Sequence, residues 1–239
     1  MKIALFGYGK MGKEIEKILL ERGHTVSLKI TSKDNLNNLD FSTTDVAIEF
    51  STPNTAQSNI LFCIKNNIPI IIGTTGWYSH FEELTKSCTI ENSAMLHATN
   101  FSLGVNLFFA LNKHLAHLMN NYPSYTCSVK EIHHTEKVDA PSGTGITIAE
   151  QIIAEIDTLN KWENKPLQKV KSSDVLALAS ERLPNVPGTH EVVYENKIDK
   201  IEISHTAHNR KGFALGSVIA AEWIQNKTGI FTIKDVLNL

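Results

Sequence analysis

Compact apolar runs alternate with amphipathic segments over the first hundred residues. Four of these runs predict strands, at residues 2–6, 24–30, 45–50 and 69–73. The runs at 2–6 and 69–73 are almost wholly apolar, as expected for strands buried on both faces of a parallel sheet. Residues 13–22 and 55–67 carry apolar side chains at helical spacing, and Gly23 suits the C-terminal cap of the first helix. Alternating strands and helices predict an α/β fold with a Rossmann-like, doubly wound parallel sheet.

After about residue 100 the pattern changes to longer helices and a group of strand-like runs. The sequence predicts helices at 104–121 and 145–156 and strands at 125–134, 175–182, 190–196 and 200–208. The polar residues 157–173 are expected to form an excursion loop, and 212–226 a helix that packs on the first domain. We therefore expect a dinucleotide-binding domain of residues 1–102 with 212–239. Residues 103–211 would form a smaller α+β domain with a mixed open sheet, for substrate binding and oligomerisation.

A glycine loop, GYGKMG, follows the first predicted strand directly and opens the next helix. It matches G-x-G-x-x-G, in which glycines allow a tight turn and the helix N-terminus offers free N–H groups to a pyrophosphate. A plain strand-to-helix turn is the alternative, but the context favours dinucleotide binding. The candidate cofactor contacts here are Gly7, Tyr8, Gly9, Lys10, Met11 and Gly12.

The choice of nucleotide depends on the segment KITSKDN, residues 29–35. NAD-binding units place an acidic residue at the end of the second strand, where it binds the ribose 2′-hydroxyl. No acid ends this strand, and Lys29, Ser32 and Lys33 could instead accept a 2′-phosphate. Because Asp34 keeps NAD possible, the prediction is NADPH or NADH, with NADPH favoured.

Two further loops, FSTP at 50–53 and GTTG at 73–76, each follow a predicted parallel strand. Ligands of doubly wound folds bind at the carboxyl ends of such strands. Ser51 alone is better explained as a cap of the next helix. In GTTG, two glycines flank two hydroxyls and let the backbone approach a flat ligand, so Gly73, Thr74 and Thr75 are candidate cofactor contacts.

Composition narrows the classes of partner. The chain has 42% hydrophobic and 20% charged residues, a formal net charge of −2 and a pI near 6.5. It therefore lacks the basic footprint of a protein that binds nucleic acid or an anionic membrane. Three scattered cysteines predict free thiols in a reducing compartment rather than a disulfide framework. No apolar run reaches the length of a signal-peptide core or a membrane span, so we expect a cytoplasmic protein.

The densest chemistry lies in EIHHTEKVDAPSGTG, residues 131–145. His133 and His134 can serve one site only if the predicted strand ends there. The spacing is not that of H-E-x-x-H and no cysteine is near, so we predict no metal. PSGTG begins a helix with Ser142 or Thr144 as its N-cap. The helix N–H groups, the hydroxyls and Lys137 would together bind a carboxylate, beside a histidine able to transfer a proton.

The segment EIHHTEKVDAPSGT closely resembles the signature of the dihydrodipicolinate reductase family of bacterial lysine and diaminopimelate synthesis. The resemblance extends over nearly the whole chain, through GYGKMG, FSTP, GTTGW, ATNFSLGVN, PGTHEV and ISHTAHNRKGFALG. The chain departs from the common family pattern in the first loop, where Lys10 replaces the usual arginine and Phe6 stands at the first glycine position.

This resemblance implies roles for individual residues. Cofactor contacts would include Ala98, Thr99, Asn100 and Phe101 besides the two glycine loops. His133 would be the proton donor and acceptor and Lys137 the second catalytic group, with substrate contacts at His134, Ser142, Gly143 and Thr144. The implied reaction is NAD(P)H-dependent reduction of a cyclic dicarboxylate, 4-hydroxy-tetrahydrodipicolinate, to tetrahydrodipicolinate, by a homotetramer. The residues alone leave open another two-domain nicotinamide dehydrogenase or a non-enzymatic nucleotide-binding redox sensor.

Overall fold

The computed structural model describes all 239 residues, which form two compact units. The first unit contains Met1–Asn106 and Arg210–Leu239, and the second contains Leu107–Asn209.

Strands and helices follow one another in the following order along the chain. The strands are β1 Lys2–Phe6, β2 Thr25–Ile30, β3 Val46–Glu49, β4 Ile70–Ile72, β5 Ala94–His97, β6 Thr126–His133, β7 Lys161–Glu163, β8 Val175–Arg182, β9 Gly188–Glu195, β10 Lys200–Ala207 and β11 Gly229–Thr232. The helices are α1 Lys10–Glu21, α2 Pro53–Lys65, α3 Phe81–Ile90, α4 Leu103–Met119, α5 Gly143–Glu155, α6 Lys211–Ile224 and α7 Ile233–Leu237. Short 3₁₀ turns lie at Leu36–Asn38, Tyr78–His80 and Leu167–Lys169.

The first unit is built on a six-stranded sheet in the order β11-β5-β4-β3-β1-β2. Every neighbouring pair is parallel, which confirms the predicted doubly wound parallel sheet. Its four inner strands are buried on both faces. Ile3 and Leu5 pack with α1 and α6 on one side, whereas Ala4 and Phe6 pack with α2 and α3 on the other. The apolar runs of the sequence therefore reflect a sheet covered by helices on both faces.

The helix predicted near the C-terminus packs on the first unit, as expected. Ala214, Val218 and Ile224 of α6 belong to the same buried cluster as the first strand and α1. Gly216 on this helix lies so close to the preceding loop that a Cβ there would stand 1.7 Å from the backbone oxygen of Phe101. The close approach fixes the position of the loop that follows β5.

The second unit has a five-stranded sheet in the order β10-β9-β6-β8-β7. β9 is antiparallel to both of its neighbours, whereas β6, β8 and β7 run parallel to one another. This confirms the predicted mixed sheet. Helices α4 and α5 cover it, with Phe108, Ile148 and Ile152 buried against Val129 and Leu178.

The expectation of a loop at residues 157–173 was wrong in part, because this segment contains β7 and a 3₁₀ turn at Leu167–Lys169. β7 has only three residues, KWE, and two of them are charged. Backbone pairing with β8 determines its conformation. Such pairing does not require polar and apolar side chains to alternate, and three residues are too few to show a pattern. The first unit likewise gains β5, α3, β11 and α7, for which no prediction was made.

The three cysteines are free, with Cys63 and Cys88 buried and Cys127 half-buried. No helix of the structure is both long enough and apolar enough to cross a membrane.

Replacing Gly216 with alanine tests the close approach of α6 to the 98–101 loop. A Cβ at 1.7 Å from the Phe101 oxygen forces one element to move, and we expect the free energy of unfolding to fall by about 1–3 kcal/mol. Urea denaturation followed by circular dichroism measures it. Gly212→Ala on the same helix is the control, because the nearest atom to its Cβ is a serine oxygen at 3.3 Å. Equal midpoints for the two variants would contradict the prediction.

Candidate functional site

Four loops of the first unit leave the same edge of the sheet. They follow β1, β3, β4 and β5, which are adjacent and parallel. The loops begin at Gly7, Phe50, Gly73 and Ala98. The parallel register thus brings the predicted cofactor segments 7–12, 73–75 and 98–101 to the carboxyl edge of the strands, where doubly wound folds bind ligands.

The three glycines of the first loop have three different surroundings. Gly7 has φ +91°, and a Cβ there would lie 2.1 Å from the Phe50 oxygen. A Cβ on Gly12 would lie 2.2 Å from the Gly7 oxygen, whereas one on Gly9 would meet nothing within 4 Å. Gly7 therefore suits a tight turn, Gly12 suits close packing of the helix on the strand, and Gly9 leaves the backbone open to a ligand.

The N-terminus of α1 is open to an anion. Its N-cap residue, Gly9, makes no side-chain capping hydrogen bond, and the first turn holds no acidic residue. The N–H groups of the first turn, including those of Lys10 and Met11, are therefore not capped by a side chain and carry the positive end of the helix dipole. This arrangement fits a pyrophosphate.

The Tyr8 side chain is held in place by contacts with Glu16 and Lys29. Its hydroxyl donates to Glu16, and the Nζ of Lys29 lies 2.6 Å from Glu16 Oε1 and 4.8 Å from the centre of the Tyr8 ring. The contacts with Lys29 and Tyr8 lower the pKa of Glu16. Lys29 is thus engaged by a carboxylate, so it is less available to a 2′-phosphate than its sequence position indicates.

The segment after β2 leaves Lys33 as the available cation. Asp34 Oδ2 accepts hydrogen bonds from the Thr31 backbone N at 2.8 Å and the Thr31 hydroxyl at 2.7 Å, and these bonds lower the pKa of Asp34. The carboxylate is therefore occupied in closing its own turn. The side chain of Lys33 is exposed.

The second and third loops are joined through Thr74. Its hydroxyl accepts a hydrogen bond from the Ser51 backbone N at 2.8 Å, and its carbonyl accepts one from Trp77 Nε1 at 2.8 Å. Gly73 packs directly on Phe50, since a Cβ at Gly73 would stand 2.1 Å from the Phe50 ring. Thr74 is buried and has a structural role, whereas Thr75 is exposed at the loop surface.

A buried carboxyl group that the sequence analysis did not single out lies beneath these loops. Glu49 ends β3, is fully buried, and accepts hydrogen bonds from the backbone N of Ser51 at 3.2 Å and from its hydroxyl. Burial raises the pKa of Glu49 despite these bonds. Ser51 therefore contacts Glu49, while the N-cap residue of α2 is Thr52, so the expectation that Ser51 caps this helix was wrong.

The loop after β5 has two buried and two accessible positions. Ala98 and Phe101 are buried, and the Phe101 ring lies 5.8 Å from that of Phe50. Asn100 stabilises the turn with two hydrogen bonds. Its side-chain Oδ1 accepts one from Ser102 N at 2.8 Å, and its backbone carbonyl accepts one from Asn106 Nδ2 at 2.9 Å. Thr99 is exposed. These hydrogen bonds fix the backbone of the loop at the carboxyl edge of the sheet.

In the second unit, β6 ends at His133, so the following residues are not bound to strand geometry. His133 and Glu131 are buried on the same face of the strand, with His133 Nδ1 3.3 Å from Glu131 Oε2. His134 is half-buried just after the strand. The strand therefore ends at this pair, which is the condition under which His133 and His134 can serve one site.

Glu131 is a fully buried carboxylate with several donors around it. Oε1 accepts from the Ser142 backbone N at 2.9 Å and lies 3.3 Å from both terminal nitrogens of Arg182, while Oε2 accepts from the Ser142 hydroxyl. Burial by itself would raise the pKa of Glu131, but the interactions with His133 and Ser142 outweigh it and hold the pKa below its usual value. Glu131 is therefore ionised at neutral pH.

The N-terminus of α5 offers a second anion site. Ser142, not Thr144, is the N-cap residue, and its hydroxyl accepts from Gly145 N at 3.0 Å. The first turn has no acidic residue, and a Cβ on Gly143 would meet nothing within 4 Å. Open backbone N–H groups at Gly143 and Thr144 suit a carboxylate.

Lys137 lies in the loop between β6 and α5. Its Nζ is 2.8 Å from both carboxylate oxygens of Asp139, and this contact lowers the pKa of Asp139. The same loop is held from outside by Arg182, which donates to the Asp139 carbonyl at 2.5 Å and to the Lys137 carbonyl at 3.4 Å.

His190 is another site residue that the sequence analysis did not assign. It lies on β9 opposite Glu131 of β6, its ring centre is 5.1 Å from that of His133, and it is buried. Burial, with the nearby His133, lowers the pKa of His190 to about 4. In the sequence, the only signal for His190 was its place within the segment PGTHEV. Arg182 had no such signal, because it ends a strand-like run and belongs to no motif.

Glu131, His133 and His190 have the donor types of a metal site, with ligand atoms within 4.8 Å of one another. Both oxygens of Glu131 already accept hydrogen bonds, and the Arg182 guanidinium lies 3.3 Å away. A cation would have to displace these donors and stand beside an arginine. The donor set therefore favours a hydrogen-bonded network.

Comparisons with known proteins cover the whole chain. Residues 1–101 match the family model for the N-terminus of dihydrodipicolinate reductase, and residues 104–237 match the model for its C-terminus. The chain is 47% identical over 238 residues to 4-hydroxy-tetrahydrodipicolinate reductase of Christiangramia forsetii, covering 100% of this chain and 98% of that protein. It is 34% identical over 243 residues to the enzyme of the same name of Thermosipho africanus, with coverage of 99% and 98%.

The fold resembles that of a dipicolinate-bound dihydrodipicolinate reductase from Paenisporosarcina sp. TG-14. The TM-score is 0.75 at 20% identity, with 97% of each chain covered. An engineered D-amino acid dehydrogenase bound to NADP⁺ is more distant, with a TM-score of 0.53 at 13% identity and coverage of 98% and 93%. At these identities the structural likeness concerns the fold.

The neutral, buried His190 makes stability depend on pH. Its pKa in the folded state is about 4, below the usual 6.5, so the unfolded chain binds more protons between these values. Stability is then fully present above about pH 6.5 and falls as pH decreases towards 4, by a total on the order of 3 kcal/mol. His190→Gln should flatten this dependence between about pH 7 and pH 5, measured as urea unfolding.

His114→Gln is the matched control in the same unit, because His114 is exposed. It should keep the pH dependence of the unmodified protein. A His190→Gln variant with an unchanged slope would contradict the assignment of His190 as a buried neutral group.

Proposed function

Because the chain belongs to the dihydrodipicolinate reductase family, whose members are NAD(P)H-dependent oxidoreductases, we propose that it reduces 4-hydroxy-tetrahydrodipicolinate to tetrahydrodipicolinate. The step belongs to lysine and diaminopimelate biosynthesis. The observation that carries the proposal is the buried Glu131, which contacts both His133 and the N-cap Ser142. A proton-transfer group and a carboxylate site are thereby assembled around one side chain.

The nicotinamide cofactor is proposed to bind the carboxyl edge of the first sheet. The uncapped N-terminus of α1 and the open space at Gly9 support pyrophosphate binding by residues 7–12. Residues 73–75 and 98–101 would form the remainder of the nucleotide site, with Thr75 and Thr99 exposed to the ligand. When bound, the reduced nicotinamide supplies the hydride.

The substrate is proposed to bind through its two carboxylates. One would accept hydrogen bonds from the backbone N–H groups of Gly143 and Thr144 at the start of α5, where the helix dipole favours negative charge. The neighbouring Ser142 would line this site while its own N–H and hydroxyl donate to Glu131. The other would lie against His134 and Lys137, and in doing so would replace Asp139 as a partner of the Lys137 ammonium. Positive groups on both sides of the ring stabilise the charge that develops during hydride attack.

His133 is proposed as the general acid. Its Nδ1 faces Glu131, which leaves Nε2 as the nitrogen that exchanges the proton. Gly188 leaves room beside this atom, because a Cβ there would crowd Nε2 at 3.0 Å. The overall reaction adds one hydride and one proton to the substrate and releases one water. The proton goes to the carbon that becomes electron-rich after hydride transfer.

Removal of the two proposed catalytic groups tests the reaction. His133→Ala should lower kcat by about 10²–10⁴-fold, the usual contribution of a general acid, and Lys137→Ala should also lower turnover strongly. The measurement is loss of reduced-nicotinamide absorbance with freshly generated 4-hydroxy-tetrahydrodipicolinate. His114→Ala and Lys113→Ala, both exposed on α4, should retain normal turnover.

Two outcomes would contradict this proposal in different ways. An unmodified protein that binds nucleotide but does not turn over would refute the substrate. Near-normal turnover in Lys137→Ala would refute the catalytic role of that lysine only.

Preference for NADPH is proposed to depend on Lys33, since Glu16 already engages Lys29. Lys33→Ala removes one charge-assisted hydrogen bond to a 2′-phosphate, so the KM for NADPH should rise roughly tenfold. The KM for NADH should not change, because NADH lacks that phosphate. Lys65→Ala, exposed at the end of α2, is the control. An unchanged NADPH KM would mean that Lys33 does not contact the phosphate.

A further inference from the structure

Arg182 contacts two segments of the second unit besides its own strand. It ends β8, and in the parallel pairing of β8 with β6 its partner is His133. Its guanidinium lies 3.3 Å from Glu131 Oε1 and donates to the carbonyls of Lys137 and Asp139. The next residue of the chain, Leu183, donates its backbone N–H to the His133 carbonyl at 2.8 Å.

We propose that Arg182 is a positioning residue for the proposed reaction, because it fixes the Lys137 loop relative to His133 and the start of α5. The inference rests on the proposed function. Arg182 binds the loop through backbone carbonyls, so the ammonium of Lys137 stays free to exchange Asp139 for a substrate carboxylate. Glu131 completes the link, since it binds Arg182 on one side and Ser142 on the other.

The loop needs such an external support. Between the end of β6 and the N-cap of α5, residues 134–141 have one hydrogen bond between their own backbone groups, from Lys137 N to His134 O at 3.1 Å. Helix and strand bonding therefore do not determine where Lys137 lies. The two carbonyl contacts from Arg182 supply the missing constraint, and a displacement of about 1 Å can cost 10²-fold in rate.

An arginine is required for geometric reasons. The guanidinium presents five N–H donors in a rigid fork, and here they reach Glu131, the carbonyl of Glu181 and two loop carbonyls. A lysine would preserve the positive charge beside Glu131 but could not contact all these acceptors from one nitrogen. Arg182→Lys therefore separates charge compensation from positioning.

The test compares Arg182→Lys and Arg182→Gln with the unmodified full chain. We expect kcat for 4-hydroxy-tetrahydrodipicolinate to fall about 10²-fold in both variants, while NADPH binding, measured by nucleotide fluorescence, is unchanged. Lys130→Gln is the matched control, because it removes the exposed ion pair with Glu181 that joins β6 to β8 without touching the loop. It should retain normal kcat.

Stability and chemical rescue separate positioning from a merely structural role. Thermal unfolding is recorded for every variant, and guanidinium at millimolar concentration should partly restore kcat in Arg182→Ala. An Arg182→Lys variant with normal kcat would overturn the proposal, as would a loss of thermal stability in Arg182→Gln without loss of kcat in the folded protein. If the unmodified chain does not turn over, the proposed function fails instead.

Discussion

The arrangement of the second unit depends on one buried negative charge. Removing a carboxylate from water is costly unless hydrogen bonds and opposite charge replace the hydration. Glu131 meets this requirement with donors from the N-cap of α5 and from Arg182, and with His133 Nδ1 3.3 Å from its Oε2. Each donor belongs to a different segment, so satisfying the carboxylate also fixes the positions of these segments. The need to compensate the buried charge of Glu131 therefore determines how these segments are arranged around it.

Neighbouring residues are small or neutral for the same reason. Gly145 leaves space for the carboxylate, because a Cβ there would lie 3.1 Å from Glu131 Oε2. His190 faces the network in its neutral form, since burial and the nearby His133 lower its pKa to about 4. A second cation at this point would compete with the Arg182 guanidinium for the charge of Glu131. The network therefore pairs one carboxylate with one guanidinium and keeps His190 neutral beside them.

The first unit reaches a comparable result by a different route. Its cofactor edge is defined by backbone geometry, because adjacent parallel strands end together and their loops must share limited space. Gly7, Gly12, Gly73 and Gly216 each stand where a Cβ would come within 2.3 Å of a neighbouring atom. Phe50 and Phe101 pack between these loops, and the hydroxyl of Thr74 joins two of them. Close packing of backbone and rings therefore fixes the positions of these loops relative to one another.

Particular residues show how far the sequence could be interpreted. The parallel sheet followed from apolar runs such as residues 2–6, since burial on both faces leaves a continuous pattern. An N-cap at Ser142 or Thr144 followed from local chemistry, because a hydroxyl before a helix binds free N–H groups wherever the helix lies. The structure selects Ser142. β7 escaped detection because its conformation comes from backbone pairing with β8, which imposes no pattern on three residues.

The sequence by itself determined the fold class, the order of most strands and helices, the glycine loop and the motif that contains His133 and Lys137. These features depend on interactions within a few residues of the chain, or on a periodicity that burial imposes on each element. Only the tertiary structure decided that Arg182 and His190 join Glu131, and that Glu16 engages Lys29. These contacts join residues up to 59 positions apart between Glu131 and His190. Strand register and the compensation of buried charge determine them, and neither leaves a local signature in the sequence.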